Sequence, residues 1–189
     1  MYHNAPSDSK PLVPTVVPAY KAVMRTGTGL IPIGVIRTPF CQAAGTPIQP
    51  VFAEGAMGRV EVRPKYAQGL AGLSGFERIW LIYPFDRVSE TRLTVVPYRD
   101  RRPRGVFATR APCRPNRIGL SCVRLLSVQA GVLHVADVDI LDETPLWDIK
   151  PYIAAFDAFP GVRSGWMDAS TSGRTRADER FHRPRADER

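Results

Sequence analysis

Residues 120–140, LSCVRLLSVQAGVLHVADVDI, read as two long strands, 120–128 and 132–140, joined by Gln129-Ala130-Gly131. Such a short turn ending in glycine between two apolar-rich runs is a hairpin signal. Working outward, the same texture recurs in shorter pieces. Residues 93–96 and 106–109 read as short strands on either side of an arginine-rich loop. Ile79-Trp80-Leu81-Ile82-Tyr83 is a continuous apolar run, which predicts a central strand covered on both faces. A short helical turn fits 66–73, its length limited by Gly69 and Gly72. Residues 58–63 alternate apolar and charged side chains and predict a half-exposed strand ended by Pro64. A first strand starts at Leu30, with Ile31, Ile33 and Val35 on one face, and stops at Arg37-Thr38-Pro39. Between these two strands, 41–55 is a loop punctuated by proline and glycine. Many short strands with no long helical period predict a mainly-β barrel or sandwich.

The chain has 189 residues, enough for one domain with a substantial core. Residues 1–29 hold four prolines without sustained periodicity and read as a flexible N-terminal arm. Residues 30–157 form the structured domain. Residues 158–189 are polar and mixed in charge, with RADER at 176–180 and again at 185–189, and predict a charged, disordered tail. No apolar run approaches the roughly 20 residues of a membrane span, and the N-terminus does not read as a secretion signal. A cytoplasmic location is the expectation.

Three cysteines, Cys41, Cys113 and Cys122, lack CxxC spacing, and His3, His134 and His182 lie far apart. No metal site is expected, and the thiols read as buried and unreactive. A Ser-His-Asp or Cys-His arrangement would rest on His134, which reads as exposed on a strand. The formal net charge of +8 is concentrated between residues 99 and 117, where seven arginines meet one acid, Asp100. Arginine forks onto phosphates and carboxylates and stacks on bases, so this window predicts an anionic ligand against the plainer reading of a solvated loop.

That window runs into Arg104-Gly105-Val106-Phe107-Ala108-Thr109-Arg110-Ala111-Pro112, then Arg114-Pro115-Asn116-Arg117-Ile118-Gly119. Together with 33–40 (IGVIRTPF), Gly69-Leu70, Gly75-Phe76 and 139–152 (DILDETPLWDIKPY), these segments resemble the TsaA-like (TrmO/YaeB-type) family, in the right order and over about 30–157. The resemblance implies a single-sheet β-barrel-like domain with short helical segments, binding S-adenosylmethionine without a Rossmann fold. The glycine-rich turn of that fold is absent; Gly27-Thr28-Gly29 is a poor substitute. It further implies a homodimer with the cofactor site near the dimer interface. The methyl acceptor it implies is the N6 amine of threonylcarbamoyl-adenosine next to the tRNA anticodon.

Carried over residue by residue, the resemblance assigns the cofactor to Ile48, Gln49 and Pro50; Asp86 and Arg87; Arg110; Leu120; and Asp142, Glu143, Thr144 and Pro145. Two positions depart from the family pattern. Phe85-Asp86-Arg87 stands where Phe-His-Gln is common, and Glu143 stands where a turn favours glycine. In the motif loop, Arg110 reads as a ligand contact, while Pro112, Pro115 and Gly119 read as turn-shaping residues. Asp148, Lys150 and Tyr152 fit either a site or a structural ion pair.

Methyl transfer from a sulfonium starts from an activated donor, so positioning supplies much of the acceleration. An adenine amine is a poor nucleophile, and a nearby carboxylate would help remove its proton; Asp86 and Asp142 are the candidates. Arg101, Arg102, Arg104, Arg114 and Arg117 are the candidate tRNA contacts. Longer family members carry a further domain after the core that helps engage tRNA, whereas 32 residues follow Asp157 here. Two other functions therefore stand beside the tRNA methyltransferase: the same fold methylating a small molecule or other acceptor, and a cofactor- or RNA-binding module without turnover.

Overall fold

The hairpin at 120–140 forms, with a shorter second strand than expected. In the computed structural model, which describes residues 29–181, β6 (Ile118–Gln129) pairs antiparallel with β7 (Val132–Ala136). Their turn is Ala130 (φ +48°) and Gly131 (φ +82°), both left-handed as a type I′ hairpin requires. The second strand stops at Ala136 rather than Ile140 because Asp137 takes φ +65° and leaves the ladder. Its carboxylate is held at 3.0 Å by Arg78 of the neighbouring β3 (Arg78–Pro84).

Upstream, β2 (Met57–Val62) falls where alternation places it, whereas β1 (Gly34–Arg37) starts four residues later than Leu30, runs through Arg37 and buries both Val35 and Ile36. In β3 the apolar run alternates in burial rather than being covered twice. Ile79, Leu81 and Tyr83 are buried, while Trp80 and Ile82 are half-exposed on the outer face. The tiny β4 (Thr94–Val95) pairs with β5 (Arg104–Gly105). Val106–Ala108, expected as a strand, is a 3-10 turn whose Val106 packs inward.

Two strands went unread: β8 (Thr144–Leu146) and β9 (Asp148–Pro151). They close the fold. The sheet runs β8-β1-β2-β7-β6-β3-β9, all antiparallel. Its two edges are therefore one stretch of chain, interrupted at Trp147, whose N–H donates to the Ile82 carbonyl at 2.8 Å. The sheet thus curls into a nearly closed seven-stranded barrel, the mainly-β barrel expected. Ile36, Val60, Ile79, Leu81, Val123, Leu133, Val135 and Leu146 fill it, each fully shielded from water. A one-turn helix α1 (Ala154–Asp157) follows β9.

The disordered state expected of 158–189 does not describe residues 158–181. These run back across the loops at one end of the barrel as a strap. Trp166 Nε1 donates to Ala108 O at 2.7 Å, Ser170 Oγ to Arg99 O at 2.6 Å, and Arg176 bridges to Pro47. Phe181, 6% exposed, joins Val88, Val95, Ala111 and Cys113 in a second apolar cluster. Two aromatic anchors thus hold a segment whose average composition is polar. The arm at 1–28 and the second RADER at 185–189 lie outside the described residues.

Candidate functional site

Between the barrel and the second cluster lies a cavity of about 570 Å³, within the range of small-molecule sites. Four stretches of chain far apart in sequence wall it. The loop before β2 contributes Ile48 and Gln49; the end of β3 contributes Tyr83, Phe85, Asp86 and Arg87. The motif loop and the start of β6 contribute Phe107, Arg110, Ile118 and Leu120, and the segment after β7 contributes Asp139, Ile140, Leu141 and Thr144. Ala177 of the strap completes the wall.

Most of the residues assigned to the cofactor thus converge: Ile48, Gln49, Asp86, Arg87, Arg110, Leu120 and Thr144 all line the cavity. Pro50, Asp142, Glu143 and Pro145 are not among its wall residues. Asp142 instead builds the loop. Its Oδ1 accepts the Thr38 N–H at 3.0 Å, and its own N–H donates to Phe40 O at 2.7 Å. A carboxylate so engaged away from the cavity does not suit the role of base. Glu143 does occupy the glycine-favouring position, at φ +63°, and its carboxylate takes a hydrogen bond from Arg37 Nη1 at 2.9 Å. Pro145 sits in β8, paired with Val35.

Arg110 donates to the Gln49 side-chain oxygen, tying the motif loop to the Gln-Pro loop. Arg87 reaches across to the carbonyls of Cys41 and Asp142. Its Nε is buried and has no hydrogen-bond partner among the described residues, a state that an acceptor on a bound ligand would relieve. The aromatic surfaces of Phe85 and Phe107 and the polar groups of Gln49, Arg110 and Thr144 together offer what a molecule carrying purine, hydroxyls and carboxylate needs.

The arginines divide. Arg101 and Arg102 are exposed, with their backbone N–H groups on Asp100 Oδ1. Arg104 is drawn inward by Asp100 at 2.7 Å and lies over the Trp166 ring. Arg114 donates to Val106 O and Thr109 O, and Arg117 to Ser89 O. Asp148 and Lys150 form an exposed ion pair at 3.0 Å on the edge of the sheet. His134 is exposed on β7; Cys113 is buried, but Cys41 is exposed and Cys122 intermediate, which corrects the reading of all three thiols as buried.

Sequence reasoning missed the floor of the cavity. Ser121 Oγ donates to Asp139 Oδ1 at 2.6 Å, and Tyr83 Oη lies 2.8 Å from Ser121 Oγ. The serine proton is committed to the carboxylate, so the tyrosine hydroxyl donates to the serine. Desolvation pushes the Asp139 carboxyl up to about 7, against the pull of the Ser121 hydrogen bond and the positive field of Arg110. Burial beside this acid also raises the Tyr83 hydroxyl well above its ordinary value. One signal was available: Ser121 is a polar residue at an inward position of an otherwise apolar strand face.

Residues 35–158 match the family described as the tRNA-methyltransferase O N-terminal domain. The chain is 46% identical over 152 residues to a probable S-adenosyl-L-methionine-binding protein of Pyrococcus abyssi, covering 79% of this chain and 83% of the relative. It is 33% identical over 165 residues to the tRNA (adenine(37)-N6)-methyltransferase of Homo sapiens, covering 82% of this chain and 37% of that protein. The crystal structure of TrmO from Pseudomonas aeruginosa superposes with a TM-score of 0.61 at 39% identity, covering 72% of this chain and 60% of that one. The chain therefore spans most of the archaeal relative, but three-fifths of the solved TrmO chain and little over a third of the human protein.

Proposed function

Because the chain belongs to the tRNA-methyltransferase O N-terminal domain family, we propose that it is an S-adenosylmethionine-dependent methyltransferase acting on the N6 amine of the adenosine next to a tRNA anticodon, in its threonylcarbamoyl form. The observation that carries this reading is the convergence of Gln49, Arg87, Arg110, Leu120 and Thr144, from separate segments, on one cavity of suitable size. Arg110 and Arg87 would hold a carboxylate, and Thr144 and Gln49 would hydrogen-bond ribose or adenine. Leu120 and Phe107 would cover the apolar faces and exclude water. When bound, the cofactor supplies a methyl group on a sulfonium, an electrophile that needs no further activation. The protein's part is to align the acceptor amine and take its proton.

Exposed Arg101 and Arg102, in the loop between the cavity-lining Tyr98 and Phe107, support an RNA acceptor, since phosphates attract such a pair. A homodimer is supported by the outer face of β6, where Ile118, Leu120 and Leu126 are exposed. Leu120 also lines the cavity, so a second copy seated there would adjoin the site.

A methyltransferase with a small acceptor is the second reading. It is favoured by one observation: Arg104, Arg114 and Arg117 are bonded within the fold, which leaves fewer cations to meet phosphate. Incubation with labelled S-adenosylmethionine and tRNA lacking the final methyl separates the two. Transfer to the anticodon-adjacent adenosine is the expected result; cofactor binding without transfer to tRNA would overturn the tRNA reading.

A further inference from the structure

Removing a proton from an adenine amine during methylation calls for a base beside the acceptor. Of the two carboxylates that the sequence puts forward, Asp142 is spent on the Thr38 backbone outside the cavity wall. A third acid, Asp139, lines the cavity itself and is oriented from behind. Ser121 fixes its Oδ1 at 2.6 Å, and Tyr83 in turn fixes Ser121 at 2.8 Å. Behind them, Gly119 leaves the room that the Tyr83 ring fills. This is the arrangement of a reacting group held in place by a second and a third partner. From it, and resting on the methyltransferase reading above, we infer that Asp139 is the proton acceptor of the reaction, with Ser121 and Tyr83 as its positioning residues.

The step balances without any further reactant. The amine nitrogen forms a bond to the methyl carbon as the carbon–sulfur bond breaks and its electron pair passes to sulfur. The N–H proton moves to the Asp139 carboxylate and from there to solvent. The charged and titratable groups facing the acid are Tyr83 from β3 and Arg110 from the motif loop; Ser121 faces it from β6. Burial and these neighbours put the carboxyl at about 7, where a base is both available and strong enough to act in neutral solution.

The test compares wild type, Asp139→Asn and Ser121→Ala with unmethylated tRNA as acceptor. It pairs kinetics with calorimetry of S-adenosylhomocysteine binding and a carbon-13 titration of the Asp139 carboxyl in the free protein. Asn keeps the size of Asp and its acceptor oxygen, so the Ser121 contact survives. For Asp139→Asn, kcat falls by about 100-fold or more, while S-adenosylhomocysteine affinity stays within about twofold. In wild type, log kcat/KM rises with pH through an acid limb whose midpoint matches the carboxyl titration. In Ser121→Ala both move upward together, because the ionised form loses a hydrogen bond.

Retention of a tenth or more of the wild-type rate by Asp139→Asn overturns the proposal. So does a loss of S-adenosylhomocysteine affinity as large as the loss of rate, which would make Asp139 a cofactor anchor. Absence of transfer by wild type overturns the tRNA reading instead, and the titration then judges Asp139. A midpoint near 7 that rises in Ser121→Ala upholds it; a midpoint in the ordinary carboxylate range, unmoved by that variant, overturns it.

Discussion

The ring of Tyr83 fills the space that a side chain at Gly119 would need: a Cβ there would lie 2.2 Å from Tyr83 Cε2. The two residues are opposite each other in the β3–β6 ladder. Gly119 had read as a turn-shaping residue of the motif loop, but it sits within a strand, and what it shapes is the position of a tyrosine at the cavity floor. Gly119→Ala should therefore displace the Tyr83 ring and part its hydroxyl from Ser121. Overpacking of this kind costs about 1–3 kcal/mol, readable as a lower urea midpoint. Unchanged stability together with an unchanged Tyr83 hydroxyl environment by NMR would contradict the contact.

Arg110 is exposed and its side chain bonds to Gln49, so truncating it removes little from the fold. In the cavity it is a charged donor for a carboxylate. Arg110→Ala should weaken S-adenosylhomocysteine binding by roughly 10-fold to 100-fold, the worth of one charge-assisted hydrogen bond. The melting temperature of the free protein should stay within about a degree. Equal calorimetric affinities for the variant and wild type would remove Arg110 from the site.

The two exposed arginines at the tip of the loop make a separate prediction. Each phosphate contact contributes about one unit to the slope of log K against log salt. Arg101→Ala combined with Arg102→Ala should lower that slope by about 2 for tRNA while leaving S-adenosylhomocysteine affinity unchanged. By contrast, Arg114→Ala should lower stability, because Arg114 holds the carbonyls of Val106 and Thr109. An unaltered salt slope in the double variant would mean that the loop does not meet phosphate.

Alternation made β2 legible, and β3 and β6 were legible as apolar runs, although each proves to have one face in the barrel and one toward solvent. Neither signal could reveal β8 and β9. Their partners are Gly34–Ile36 and Ile79–Ile82, far away in sequence, and the local residues Asp142-Glu143-Thr144-Pro145 read as a turn. The run at 106–109 reads like a strand when only composition is considered, but Val106 is buried within a 3-10 turn and Phe107 is exposed and lines the cavity. The cavity wall came from family resemblance. Nothing in the spacing of Gln49, Arg87, Arg110 and Thr144 foretells that they meet. The floor was hidden for another reason: Ser121 and Asp139 become a pair only once the hairpin has folded.

The strap was illegible because two anchors are diluted among charges. Phe181 packs edge-on against Tyr98 at 5.2 Å, and Tyr98 Oη donates to Asp178 O at 3.0 Å. Phe181→Ala should cost ~3 kcal/mol, as large-to-small changes in a core do. Its effect should reach the cavity. The N–H groups of Gly45 and Ile48 donate to Ala177 O and Thr175 O, so their hydrogen exchange should accelerate in the variant. Protection equal to wild type would show that the Gln-Pro loop does not depend on the strap.

Asp139 should also leave a mark on stability that needs neither cofactor nor acceptor. Its carboxyl titrates near 7 in the folded protein, against an ordinary value of 3.8. Between those values the native state keeps a proton that the unfolded chain has released, so stability falls as pH rises across that window. Below about pH 4 both states are protonated and nothing is lost; above about pH 7 the whole cost remains. At 1.36 kcal/mol per pKa unit, it amounts to a few kcal/mol at most. Asn at this position carries no charge to desolvate. Asp139→Asn should therefore match wild type in urea unfolding near pH 4 and become progressively more stable than wild type up to pH 8. A difference between the two proteins that is flat across this range would mean the acid is solvated, and neither the raised pKa nor the proton-accepting role built on this site would stand.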